Sequence, residues 1–114
     1  MPVSVAQPLI EGIFGSGGHE PYDRALRDPA RTLFLREASD EPSAHTARLD
    51  VSRFLSAADA GDAEVLAGAT GPVLDVGCGP GRVVHAAIMA GHIALGIDIS
   101  PTAVDIAQEQ GLPV

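Results

Sequence analysis

The sequence holds a single cysteine, Cys78, so no intrachain disulfide can form, and no Cys/His cluster has the spacing of a metal site. Basic residues are scarce: seven Arg and Lys stand against fifteen acids, for a net charge of −8. Such a surface repels phosphate backbones and anionic bilayer faces, which argues against direct nucleic-acid or membrane partners. No export signal is expected either, because "MPVSVAQPLIEGIF" has neither a basic leader nor a long apolar stretch behind it. Long apolar runs are absent as well. The least polar segment, residues 86–97, contains His92 and two glycines and falls short of the roughly 20 residues needed to cross a bilayer. These absences lead us to expect a cytoplasmic chain without a metal. With 114 residues, 46% hydrophobic and 19% charged, it is long enough for one globular domain and no more.

Along the chain, residues 1–20 include "EGIFGSGGHE", where glycine and small polar residues outnumber anything that could build a buried face. A flexible tail or lid is expected there. From Tyr22 a short helix starts and stops at Asp28-Pro29, since proline disfavours a helical residue before it. Alternation around Leu33 and Leu35, then at Ala47, Leu49 and Val51, predicts a β-hairpin across the turn-rich "SDEPS". Between Val51 and Ala69 the apolar positions suit one or two short helices, broken near Gly61-Asp62 with Asp62 as N-cap. Residues 21–70 therefore read as a helical and hairpin cap.

Residues 71–114 have clearer periods. Val73 to Val76 is a short apolar strand, "GCGPG" a loop with three glycines and a proline in five positions, and 82–90 a helix with Val84, Ala87 and Ile88 on one stripe. Gly91 sits where a C-cap belongs. A second strand, 93–97, ends at Asp98, and Ser100-Pro101 supplies an N-cap followed by proline at the first helical position. That helix runs to about Gln110. Strand, glycine loop, helix, strand, acid and helix form a βαβα unit, the opening of a doubly wound α/β parallel sheet of Rossmann-like type, with ligands expected beyond the strands' carboxyl ends.

The loop spacing separates two ligand classes. A dinucleotide fingerprint, G-x-G-x-x-G, needs glycine where Arg82 stands, whereas the spacing here is G-x-G-x-G. Asp75, two residues ahead of Gly77, would repel a pyrophosphate and attract an ammonium or sulfonium. A dinucleotide-binding oxidoreductase fragment is thus a distant second alternative.

With "DVGCGPG" the sequence resembles the class I S-adenosylmethionine-dependent methyltransferases, whose first motif is an acid, any residue, then G-x-G-x-G. "LGIDIS" matches their second motif, an acid at the end of strand two. The resemblance covers about 73–111. It implies S-adenosyl-L-methionine as cofactor, with Gly77, Cys78, Gly79 and Gly81 around its methionine part. By the same resemblance Asp75 stands on the ammonium side, Asp98 takes the ribose hydroxyls and Ile99 packs on the adenine. An N-terminal segment often folds over the cofactor in such enzymes, which makes Tyr22 a further candidate contact and leaves His19 open. It implies methyl transfer to a small-molecule or protein acceptor, with acceptor residues normally after the fourth strand.

Full domains of that family have seven strands. This sequence therefore reads as a sheet truncated after the second βα unit, with an N-terminal α/β-hairpin extension and an unpaired sheet edge open to self-association. The alternative is a non-catalytic cofactor-binding fragment or interaction module. Cys78, His85 and His92 are expected to carry no chemistry, since none has a partner in the sequence that would activate it. The acids Asp59, Asp62 and Glu64 read as a solvated, capped helix start.

Overall fold

A computed structural model describes residues 19–28, 30, 32–37, 41–42 and 45–114. The expected tail, apart from residues 19 and 20, lies outside the described residues.

The first described helix, α1 (Glu20–Arg27), has Pro21 in its first turn, acids Glu20 and Asp23 at its N-terminal end and Arg24 and Arg27 at the other. Each sign complements the helix dipole. It ends at Asp28, before Pro29, as proline geometry demands. Strands β1 (Leu33–Arg36) and β2 (Thr46–Leu49) pair antiparallel, Leu33 opposite Leu49 and Arg36 opposite Thr46, which is the expected hairpin. A 3-10 helix follows at Val51–Leu55, then α2 at Ala60–Ala67.

One expectation is corrected here. The N-cap of α2 is Asp59, not Asp62, and Gly61 lies inside the helix. Asp59 accepts the Asp62 amide at 3.0 Å, and the Asp62 carboxylate accepts the Asp59 amide at 3.0 Å. This reciprocal capping box satisfies two otherwise orphaned N–H groups, and outweighs the cost of a glycine in the first turn.

Strands β3 (Val73–Val76) and β4 (Ala94–Ile97) pair in parallel, Val73 with Ala94 through Val76 with Ile97, joined through α3 (Arg82–Met89). Helix α4 (Pro101–Glu109) follows, capped by Ser100 and stopped at Gly111, whose φ is +77°. On the far side of β4 the Gly96 amide donates to Pro113 O at 2.9 Å.

Two apolar clusters hold these elements. One joins Leu66, Cys78, Val84, Ala87, Ala94, Ala107 and Leu112 on one face of the parallel pair. The other joins Ala25, Leu26 and Val51 to Ala103 and Ile106, so α1 and the 3-10 helix share a core with α4. Among the described residues the opposite sheet face is uncovered: Leu74 is 59%, Val76 72% and Ile97 47% exposed. No described helix is long and apolar enough to cross a membrane.

Candidate functional site

The turn from β3 to α3 is built by glycines in the left-handed region. Gly77, Gly79 and Gly81 have φ of +74°, +57° and +92°, where side chains are disfavoured. Their roles differ. A Cβ on Gly77 would meet nothing within 4 Å, whereas one on Gly79 would lie 3.1 Å from the Tyr22 hydroxyl. One on Gly81 would come within 2.7 Å of Leu112 Cδ1, so this glycine lets the turn close onto the residues after α4.

The loop's amides are spent inside the protein. Gly77 N and Cys78 N both donate to Ile97 O, at 2.8 and 3.0 Å, and Gly81 N donates to Cys78 O at 3.1 Å. Gly79 N donates to Asp98 Oδ2 at 2.7 Å. Pro80 has no N–H to give. Between 77 and 81 no amide is left for a ligand, whereas the first-turn amides of α3 at Arg82 and Val83, on the cleft lining, are not satisfied by the helix itself.

Above the loop lies a cavity of about 480 Å³. Tyr22, Asp75, Gly77, Cys78, Gly79, Asp98 and Ile99 line it, with His19, Phe54, Arg82, Val83 and Ser100. Seven of the eight sequence-predicted site residues thus meet in one cleft; Gly81 does not line it and instead turns toward Leu112 and Ala107. Ile99 is 80% exposed and also borders a smaller apolar hollow of about 320 Å³ with Val76 and Ile97.

Charge in the cleft is mostly negative. Desolvation raises the Asp75 pKa above the ordinary aspartate value; Arg82 opposes this, while Asp62 and Asp98 add to it. Asp98 accepts from two backbone amides, Gly79 N on Oδ2 and Ser100 N at 2.8 Å on Oδ1. Burial, then the charges of Asp98 and Asp75, pushes the Cys78 thiol up to about 11. A thiol held protonated is no nucleophile at neutral pH, in keeping with a packing role. The Tyr22 phenol is raised to about 12, chiefly by burial and next by Asp98. It stays a hydrogen-bond donor.

Several residues of the cleft carry no sequence signal for it. Phe54 sits edge-on to Tyr22, ring centroids 6.2 Å apart at 70°, and only folding brings the 3-10 helix there. Arg82 directly follows the loop, so its place at the mouth was readable. Its tether was not: Nη1 lies 2.8 Å from Asp62 and 3.7 Å from Asp59. Gly96 was also missed. A Cβ there would stand 2.7 Å from Cys78 Sγ and 2.9 Å from Val84 Cγ2, so its bareness lets the loop and α3 press on β4. His85 and His92 do not line this cleft; His92 Nδ1 lies 3.0 Å from Gly71 O. Among the described residues, no group of three His, Cys, Asp or Glu could hold a metal ion.

Residues 73–113 match the family model described as a methyltransferase domain. The fold is similar to the crystal structure of an S-adenosylmethionine-dependent methyltransferase from Bacteroides fragilis in complex with S-adenosyl-L-homocysteine. The match has a TM-score of 0.65 and 25% identity, and covers 81% of this chain. This chain spans 40% of the length of that one.

Proposed function

We propose, from the premise that residues 73–113 belong to a methyltransferase domain of class I, Rossmann-like fold, that this chain holds S-adenosylmethionine and serves methyl transfer to a small-molecule or protein acceptor. The observation that carries this reading is the pairing of Asp75 and Asp98 in a cleft whose glycine loop has turned all its amides inward. A cationic ligand fits that electrostatic field, and a pyrophosphate does not. Support also comes from the similar fold of the Bacteroides fragilis protein, whose crystal structure is a complex with S-adenosyl-L-homocysteine.

When bound, this cofactor supplies a methyl group on a sulfonium, ready for in-line transfer to a nucleophile. The chain's own residues bind and orient. Asp75 faces the ammonium, and burial of its carboxylate makes a cationic partner more favourable than water alone would. Each oxygen of Asp98 already accepts one N–H and keeps a lone pair for a ribose hydroxyl. Ile99 offers an exposed apolar side chain to the adenine. Gly77 and Gly79 admit the ligand close to the backbone, the Cys78 thiol walls the cleft, and Gly81 closes the turn beneath. Tyr22 roofs the loop and donates from its hydroxyl. With positions so arranged, catalysis in this part of the domain is positional.

Titration calorimetry tests the proposal directly. S-adenosyl-L-homocysteine and S-adenosylmethionine should bind, and NAD should not. Tighter binding of NAD would reject the methyltransferase reading in favour of a dinucleotide site.

A further inference from the structure

Ser100 is the buried polar residue of the described core, 1% exposed. As the N-cap of α4 its Oγ accepts the Ala103 amide at 3.0 Å. Capping needs only a lone pair, so the hydroxyl proton is left to be donated. It goes to Asp23 Oδ1 on α1, seventy-seven residues earlier in the chain. The other oxygen of Asp23 lies 2.6 Å from His19 Nδ1. Asp23 is thereby held at both oxygens and its side chain is only 15% exposed.

The residue beside Asp23 on α1 is Tyr22, the only tyrosine in a chain without tryptophan. Its hydroxyl stands 3.1 Å from where a Gly79 side chain would begin. The hydroxyl therefore occupies the space that the bare Gly79 leaves open, and it stays there only while α1 keeps its height and rotation. The apolar packing of Ala25 and Leu26 on Ala103 and Ile106 holds the helix against α4 but is non-directional. At the far end of α1, Arg27 meets Glu109 at 3.2 Å across two exposed side chains, which contributes little. A directional hydrogen bond, buried at Ser100 and partly buried at Asp23, supplies what the apolar contacts lack.

We propose that Ser100 and Asp23 are a positioning pair, whose hydrogen bond sets α1 so that the Tyr22 hydroxyl reaches the ligand over the glycine loop. This rests on the cofactor reading above for the identity of the ligand. The loop from 77 to 81 has no free N–H and Arg82 Nη1 is engaged by Asp62, so the Tyr22 hydroxyl, beside the first-turn amides of α3, is a donor placed to meet the carboxylate of the ligand's amino-acid end while Asp75 meets its ammonium.

Ser100→Gly tests the pair in the full chain, because glycine is itself a tolerated N-cap but cannot donate to Asp23. Ser100→Thr keeps both bonds and serves as rescue. Tyr22 reports alone by ultraviolet titration, without any ligand. Its midpoint should fall from about 12 toward the ordinary 10.0 in Ser100→Gly and stay raised in Ser100→Thr. Acrylamide quenching of Tyr22 at pH 7 should rise in the first variant only. Affinity for S-adenosyl-L-homocysteine should drop about tenfold in Ser100→Gly and in Tyr22→Phe, with no further loss in the double variant. An unchanged Tyr22 midpoint and quenching in Ser100→Gly would overturn the pair, as would additive losses in the double variant. Were the native chain to bind no S-adenosyl-L-homocysteine, the cofactor reading would fall, and the ligand-free titration and quenching would still decide the pair.

Discussion

The amide of Gly79 donates a 2.7 Å hydrogen bond to Asp98 Oδ2, so the centre of the glycine loop hangs from the end of the neighbouring strand. Ser100 N holds the other oxygen of the same carboxylate at 2.8 Å. Asp98 is therefore a fixture of the loop before any ligand arrives. A residue assigned to the ribose in the cofactor reading has a second task within the protein.

Replacing Asp98 tests both tasks. Charge-assisted hydrogen bonds are worth roughly 1.5–3 kcal/mol each, so Asp98→Ala should weaken cofactor affinity by about ten- to several-hundred-fold. Asp98→Asn should rescue little, because its NH2 would face one of the two backbone donors that the carboxylate now accepts. Calorimetry with S-adenosyl-L-homocysteine and a 2′-deoxyribose analogue checks this. Native protein should discriminate against the analogue, and Asp98→Ala should lose that discrimination; equal discrimination in both would reject the ribose assignment.

Glycine substitutions should divide by what surrounds each position. Gly79→Val would place side-chain atoms against the Tyr22 hydroxyl at a positive φ, and should abolish ligand binding with helix content preserved by circular dichroism. Gly96→Ala should instead lower stability by about 1–3 kcal/mol, since its Cβ would press on Cys78 and Val84 in a packed core. Urea unfolding separates the two. Gly96→Ala unfolding at the native midpoint would mean that the strand and helix relax freely.

Asp75 should show opposite signs for stability and binding. Its pKa is raised on folding by desolvation, so the folded chain favours the protonated form and the ionised carboxyl opposes folding as pH rises through and above the ordinary aspartate range. Asp75→Asn should accordingly raise the melting temperature of the ligand-free chain at pH 7 while weakening S-adenosylmethionine binding. In the native protein, affinity should decline on acidification with a midpoint above that of an ordinary aspartate. Thermal melts and calorimetry from pH 4 to 7 test both halves. A destabilised Asp75→Asn would show that the carboxylate is held by partners stronger than its burial cost.

The bare face of the parallel pair should make the isolated chain self-associate. Leu74, Val76, Leu95 and Ile97 lie side by side on it, and parallel sheets are ordinarily covered on both faces. Sedimentation should show mass rising with concentration, and Val76→Lys should shift the distribution toward monomer. A native monomer at all concentrations would mean that this face tolerates water.

Local chemistry alone determined the βαβα segment of this protein. Proline at a helix's first position, serine as its cap, glycine after its end and apolar strand periods act within a few residues, so they are legible in a linear string. The loop and its two acids were legible for the same reason, because motif spacing encodes backbone angles and charge placed at a strand end. Tertiary structure decided the rest. The cap of α2 is itself local, a reciprocal pair of bonds three residues apart, whereas Arg82 reaching across from α3 to Asp62 is a contact only the fold supplies. The roof of the cleft depended on α1 meeting Ser100, and on Phe54 arriving behind Tyr22. Contacts between groups so distant in the chain leave no periodic trace; only the burial of shared apolar surface brings them together.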